Sequence, residues 1–230
     1  MFDFTPAEWE AVHLSLNVGL WGTLGCLPLG FVLAYVLARV DFPLKSLLNG
    51  IIYLPLVLPP VVTGFFLLLA FGTRGPLGQF LENTFGITIA FRWTGAALAA
   101  AIMGLPLMVR AMRLSIIAVD RRLEMAARTL GASWWRAFFT VTLPLALPGI
   151  LAGAVLCFAK SFGEFGATIT FVSNIPGETR TLPIAIYSLL QSPGGEAAAL
   201  RLAGLSVVVS LAAVLGAEWM ERRIITRAGT

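Results

Sequence analysis

The sequence predicts an all-α membrane protein of about five transmembrane helices, with its N-terminus outside and its C-terminus in the cytoplasm. Three observations predict it. The 230 residues are 58% hydrophobic and only 12% charged, roughly half the charged share of a soluble domain. Apolar runs of about 20 residues, the length that crosses a bilayer, recur along the chain. The cations fall in the short stretches between those runs rather than over a continuous surface.

The first span is expected at residues 14–38. The opening MFDFTPAEWE has no basic region before it, so this run reads as a retained span and not a cleaved signal. The second, 47–71, contains LPLVLPP, whose Pro55, Pro59 and Pro60 free backbone carbonyls and bend a helix. That bend fits a packing kink and fits a helix lining a pathway. The third span, 94–112, is short and reaches Met112 by letting Arg110 snorkel. The fourth covers 145–165 and the fifth 200–219. Between them, Thr168–Leu190 is broken by Asn174, Pro176–Gly177 and Pro183. It reads as a loop with re-entrant or short interfacial pieces. The whole of 1–230 is expected to form one transmembrane domain, with a cytoplasmic loop at 119–144.

Orientation follows from the cations. With the N-terminus outside, the inner loops and tail hold Arg39, Lys45, Arg110, Arg113, Arg121, Arg122, Arg128, Arg136, Arg222, Arg223 and Arg227. The outer side keeps Arg74, Arg92, Lys160, Arg180 and Arg201, and the N-terminal segment adds Asp3, Glu8 and Glu10. The same placement explains the net charge of +4 without nucleic acid. Ala100 with Gly104, and Ala212 with Gly216, are small residues four apart that let helices approach in lipid. Trp93 and Trp219 stand where interfacial anchors stand. Cys26 and Cys157 lie inside apolar runs, with no metal or redox spacing.

The 119–144 loop is unlike its surroundings. Glu124 to Leu130 forms a helix, Gly131 stops it with a left-handed cap, and Ser133 caps a second helix that Pro144 limits. Glu124, Ala127, Arg128 and Gly131 share one face, and Ala126, Ala127 and Gly131 leave the helix thin enough for another protein to approach. Trp135, Phe138, Phe139 and Thr142 form a partly apolar stripe that presses on the membrane base or on a partner.

The pattern Glu124, Ala126–Ala127, Gly131, Val141, Leu143–Pro144 resembles the EAA loop of ATP-binding-cassette importer permeases. In that family the loop supplies coupling helices that fit a groove on a cytoplasmic ATPase. The resemblance therefore gives ATPase-coupling roles to Glu124, Ala126, Ala127, Arg128, Gly131, Leu143 and Pro144. Two departures stand out: Met125 intervenes before the alanines, and valine replaces the usual isoleucine. Further along, SFGEFGATITFVSNIPGETRTLPIAIY (Ser161–Tyr187) resembles oxyanion permeases, above all those for molybdate, and sulfate permeases share a version of GEFGA. The likeness runs from about Glu8 to Glu218. It implies a multi-pass subunit of the cytoplasmic (inner) membrane that imports molybdate, or else sulfate or tungstate. Its expected partners are a second copy about a two-fold axis, two ATPase subunits and an extracytoplasmic molybdate-binding protein.

The residues also bound the chemistry. The two lysines, Lys45 and Lys160, follow Leu44 and Ala159, so neither ends a Gly-Lys-Ser/Thr phosphate loop. With His13 alone, no catalytic metal set is expected, and no cofactor or catalytic residue is assigned. An ion-driven secondary transporter would rest on Lys160 and Glu164, the ionisable residues within a span, but five spans do not divide into equal repeats. The pathway candidates are Pro55, Pro59 and Pro60 together with Gly163, Glu164, Phe165 and Gly166. Phe165 between its glycines reads as a movable apolar plug. Glu164 reads as paired with Lys160 or bonded to the backbone, where it holds a bend. A helix end with an ion pair and no transport role fits the same residues.

Overall fold

A computed structural model describes residues 4–228, and every regular element among them is helical. α1 (Pro6–Arg39) begins well before residue 14 because a capping box starts it. Thr5 Oγ1 accepts from the Glu8 N–H at 3.3 Å, and Glu8 Oε2 accepts from the Thr5 N–H at 2.6 Å.

The expected single span 47–71 is instead two helices, α2 (Lys45–Val57) and α3 (Pro60–Phe71), bent by 112° at their junction. Consecutive prolines cause the break. Neither Pro59 nor Pro60 has an N–H, so the carbonyls of Pro55 and Leu56 lose their helical donors. Each proline also forces the residue before it out of the helical region. Leu58 (φ −71°, ψ 145°) and Pro59 (φ −54°, ψ 132°) are accordingly extended.

A short amphipathic helix, α4 (Pro76–Phe85), follows and ends on Gly86 in the left-handed region. Nothing in the apolar-run count announced it, since it is far too short to cross. α5 (Trp93–Ala118) passes beyond Met112. Arg113 does not end it, because its Nη1 donates to Asn49 Oδ1 at 2.9 Å and the cation is held beside α2.

α6 (Arg121–Thr129) is a separate helix. α7 (Trp134–Ala137), a π-helical turn (Phe138–Thr142) and α8 (Leu143–Phe162) then form one continuous helical rod. Pro144 therefore does not limit the second loop helix as expected. The wider π turn, closed by the Leu143 N–H on Phe138 O, gives the proline ring room within the rod. The expected loop 168–190 overlaps α9 (Gly166–Val172), which starts two residues earlier, and holds α10 (Leu182–Leu190), both too short to cross. α11 (Glu196–Ala228) closes the chain. The side chains of Arg222, Arg223 and Arg227 and the residue Asp3 lie outside the described residues.

α5 is the central helix, with Ala96, Ala99, Ala100 and Met108 fully buried between α1 and α8. A methyl built on Gly104 would stand 2.6 Å from Cys157 Sγ, and one on Gly22 would stand 2.8 Å from Ala97 O. Ser161 Oγ adds a bond to Ala100 O at 3.1 Å. The Ala100–Gly104 pair thus serves close approach, as small residues do where lipid offers no hydrophobic drive. At the Ala212–Gly216 pair, a methyl on Gly216 meets nothing within 4 Å among the described residues of this one chain. Along α11, Val207, Val208 and Leu211 face outward, as lipid requires.

Candidate functional site

At one end of the bundle lies the 119–144 loop. Asp120 caps α6 by accepting from the Arg122 N–H at 2.9 Å. At its far end the Ala132 N–H reaches Ala127 O (3.1 Å) and the Gly131 N–H reaches Arg128 O (3.0 Å). That is a Schellman motif, and Gly131 at φ +90° supplies its left-handed residue. Ser133 then caps α7 through the Arg136 N–H at 3.3 Å.

Glu124 turns inward. Its Oε1 accepts from Arg39 Nη2 at 2.7 Å and from Thr142 Oγ1 at 2.9 Å, while Arg39 Nη2 also donates to Val119 O at 3.2 Å. The Arg39 and Glu124 side chains are 9% and 23% exposed. One carboxylate therefore ties α6 to the end of α1 and to the π turn. Phe138 reinforces the tie, with ring centroids 6.0 Å from Phe31, 5.6 Å from Tyr35 and 5.7 Å from Trp134.

The shared face of α6 is split by this arrangement. Ala127 sits half-buried toward the bundle, while Ala126, Arg128 and Gly131 remain exposed. Leu130 is 89% exposed, and Met125, in the slot directly before the alanines, is 56% exposed. The stripe on the second helix divides as well. Phe138 and Thr142 are buried against α1 and α6, and Trp135 and Phe139 stand outward. Leu143 is half-buried and Pro144 exposed.

The two sets of pathway candidates meet. A methyl on Gly166 would lie 2.8 Å from Pro60 Cβ, and one on Gly64 would lie 2.5 Å from Ala167 O. The α2–α3 break thus abuts the α8–α9 break, and α3 packs on α9 almost backbone to backbone. Gly163 ends α8 and is exposed. Glu164, with a side chain 2% exposed, makes both expected contacts: Oε2 accepts from Lys160 Nζ at 2.6 Å and Oε1 from the Ala167 N–H at 3.0 Å. A buried carboxylate with a cation and a backbone donor is fixed in place. Phe165 leans on Tyr187 of α10, with ring centroids 4.9 Å apart. Pro55 is half-buried, one turn before the break.

Sequence reasoning did not foresee the contacts of Arg39 and Thr142 with Glu124 or of Tyr187 with Phe165. Their partners are distant in the chain or across a helix, and no local spacing signals them. A groove of about 440 Å³ between α1 and α5 is lined by Trp21, Gly25, Leu29 and Trp93. It is almost wholly apolar and unsuited to an anion. Among the described residues no His, Cys, Asp and Glu cluster could hold a metal.

Broken helices packed at a shared point, a stiff capped loop with outward apolar residues, and lipid-facing spans together define a transport subunit of the membrane. The chain belongs to the family of binding-protein-dependent transport system inner membrane components, whose model matches residues 27–226. It is 57% identical over 225 residues to the molybdenum transport system permease protein ModB of Escherichia coli, covering 98% of each chain. It is 38% identical over 202 residues to the sulfate transport system permease protein CysW of Synechococcus elongatus, covering 86% of this chain and 70% of that one. Its fold also matches a chain in the crystal structure of a bacterial ABC transporter that imports alginate. That match has TM-score 0.74 and 19% identity, covering 96% of this chain and 81% of the other.

Proposed function

We propose that this chain is the membrane-spanning permease of an ATP-driven importer that moves molybdate into the cell, working as a homodimer with two ATPase subunits and an extracytoplasmic molybdate-binding protein. The near full-length likeness to molybdenum permeases carries the choice of anion. The N-terminus lies outside and the 119–144 loop inside, on the cation distribution.

The outward residues of the loop, Ala126, Arg128, Leu130 and Gly131, form the surface that enters the ATPase groove. Leu143 and Pro144 join it to the transmembrane rod, and Glu124 sets its angle through Arg39. The abutting breaks at Leu58–Pro60 and Gly163–Gly166 form the gate. There the freed carbonyls, the α3 N-terminus and the glycines Gly163 and Gly166 allow a change of shape that intact helices would resist. Phe165 closes the gate when packed on Tyr187. Because a tetrahedral dianion needs no covalent step, the permease supplies only donors, weak positive potential and a moving constriction.

The test is ATPase activity of the reconstituted complex with its binding protein, compared with molybdate, tungstate and sulfate. Stimulation by molybdate at the lowest concentration supports the reading. Preferential stimulation by sulfate transfers the assignment to the neighbouring class.

A further inference from the structure

At the end of the bundle opposite the 119–144 loop, a cavity of about 310 Å³ lies between the start of α1, α10 and the start of α11. Arg180, Arg201, Ser188 and Ser192 line it. We infer that this cavity is a binding site for a tetrahedral oxyanion, built around the guanidinium groups of Arg180 and Arg201.

Each arginine is held by a dedicated partner. Arg180 Nε donates to Asn174 Oδ1 at 2.8 Å, and Asn174 Nδ2 donates to Ser188 Oγ at 2.8 Å. The turn carrying them is strained and stapled. Ser173 has φ +66° and ψ −163°, a region that only glycine enters freely. Thr179, fully buried, donates through Oγ1 to Ser173 O (3.1 Å) and accepts from the Ile175 N–H (2.9 Å). Strain of this kind persists where the surroundings over-determine a geometry, and here it aims Arg180. Arg201 Nη2 donates to Glu8 Oε1 at 2.9 Å, and Glu8 is 5% exposed.

The donors exceed the acceptors. Among the described residues the Nη groups of Arg180 meet no protein acceptor. Ser192 Oγ donates to Ser188 O, leaving its lone pairs rather than its proton toward the cavity. Two cations against the single carboxylate of Glu8 leave a net positive cavity. A guanidinium fork matches the spacing of oxygens on a tetrahedral oxyanion better than an ammonium does. Partial neutralisation suits a site that must release its anion as well as accept it.

α10 carries both Ser188, which lines the site, and Tyr187, against which Phe165 packs. On the orientation proposed above the site lies toward the outer side. Its role on the route rests on the molybdate reading, whereas oxyanion binding itself does not.

Arg180→Ala tests it, since this change leaves the buried Glu8–Arg201 pair intact. The permease–ATPase complex is placed in phosphatidylcholine nanodiscs with ADP filling the ATPase sites, and binding of labelled molybdate and of sulfate is measured. The wild type should bind saturably. Arg180→Ala should bind roughly tenfold or more weakly, as loss of a charged hydrogen-bond pair implies. Arg180→Lys should fall between them. Equal affinity in wild type and Arg180→Ala overturns the site. A phospholipid that co-purifies with the wild type but not with Arg180→Ala, with no free-anion binding, keeps the oxyanion chemistry and makes the lipid headgroup its source. Wild-type uptake is measured alongside: absent molybdate uptake refutes the transport reading and leaves the binding result standing.

Discussion

Removing the Glu124 charge distinguishes a strut within the chain from a contact with a partner. Glu124→Gln keeps the shape and one acceptor oxygen but leaves the Arg39 guanidinium, 9% exposed, without its counter-charge. A fully buried pair broken on one side costs about 3–5 kcal/mol, and an exposed pair costs about 0–1. Glu124 at 23% exposure lies between, so a cost of about 1–3 kcal/mol is expected. A shift of that size changes the population of the correctly angled loop about 5- to 150-fold. The assay is a double-mutant cycle of Arg39→Gln and Glu124→Gln, read in thermal stability and in ATPase activity stimulated by the binding protein. Each single change should lower both, and the double change should cost little more than either. Exchange of the charges, Arg39→Glu with Glu124→Arg, should restore part of the stimulation. Additive effects, within about 0.5 kcal/mol, would refute the strut. So would a Glu124→Gln variant of unchanged stability that no longer holds the ATPase, because the carboxylate would then belong to the partner interface.

The outward face of α6 should be the docking surface. Ala126→Trp should therefore abolish co-purification of the ATPase while the permease still inserts. Gly131→Ala, at φ +90° with open space around it, should cost about 1 kcal/mol of loop stability and leave docking measurable by the same pull-down. At the gate, Phe165→Ala removes the ring resting on Tyr187 and should raise ATP turnover without binding protein; unchanged basal turnover would move the gate elsewhere. Gly64→Leu must force α3 from α9, since even a methyl would lie 2.5 Å from Ala167 O, and should sharply lower folded yield in detergent. Lys160→Met strands the buried Glu164 carboxylate and should cost up to about 3 kcal/mol, with Lys160→Met/Glu164→Gln recovering much of the lost thermal stability.

Helical class and the capped loop were legible because their signals are local. Hydropathy marks a span within a 20-residue window, and Gly131 and Ser133 announce a helix stop and start by residue type alone. The double proline at Pro59–Pro60 signalled a bend but not its 112° angle, which depends on what the two halves pack against. The meeting of Pro60 with Gly166 and the inward turn of Glu124 toward Arg39 were hidden, because each joins residues far apart in the chain. The continuity of the rod from Trp134 to Phe162 was hidden for a different reason. A proline near a helix start ordinarily reads as a boundary, whereas here a π turn precedes Pro144 and the helix runs on.

The most direct test of the account is uptake into proteoliposomes that contain this permease, its ATPase and its binding protein. With ATP on the cytoplasmic side, labelled molybdate should accumulate, excess tungstate should compete and sulfate should compete poorly. Without ATP, a proton gradient of either sign should drive nothing. Accumulation driven by the gradient alone would contradict the account, and so would ATP-dependent uptake that prefers sulfate.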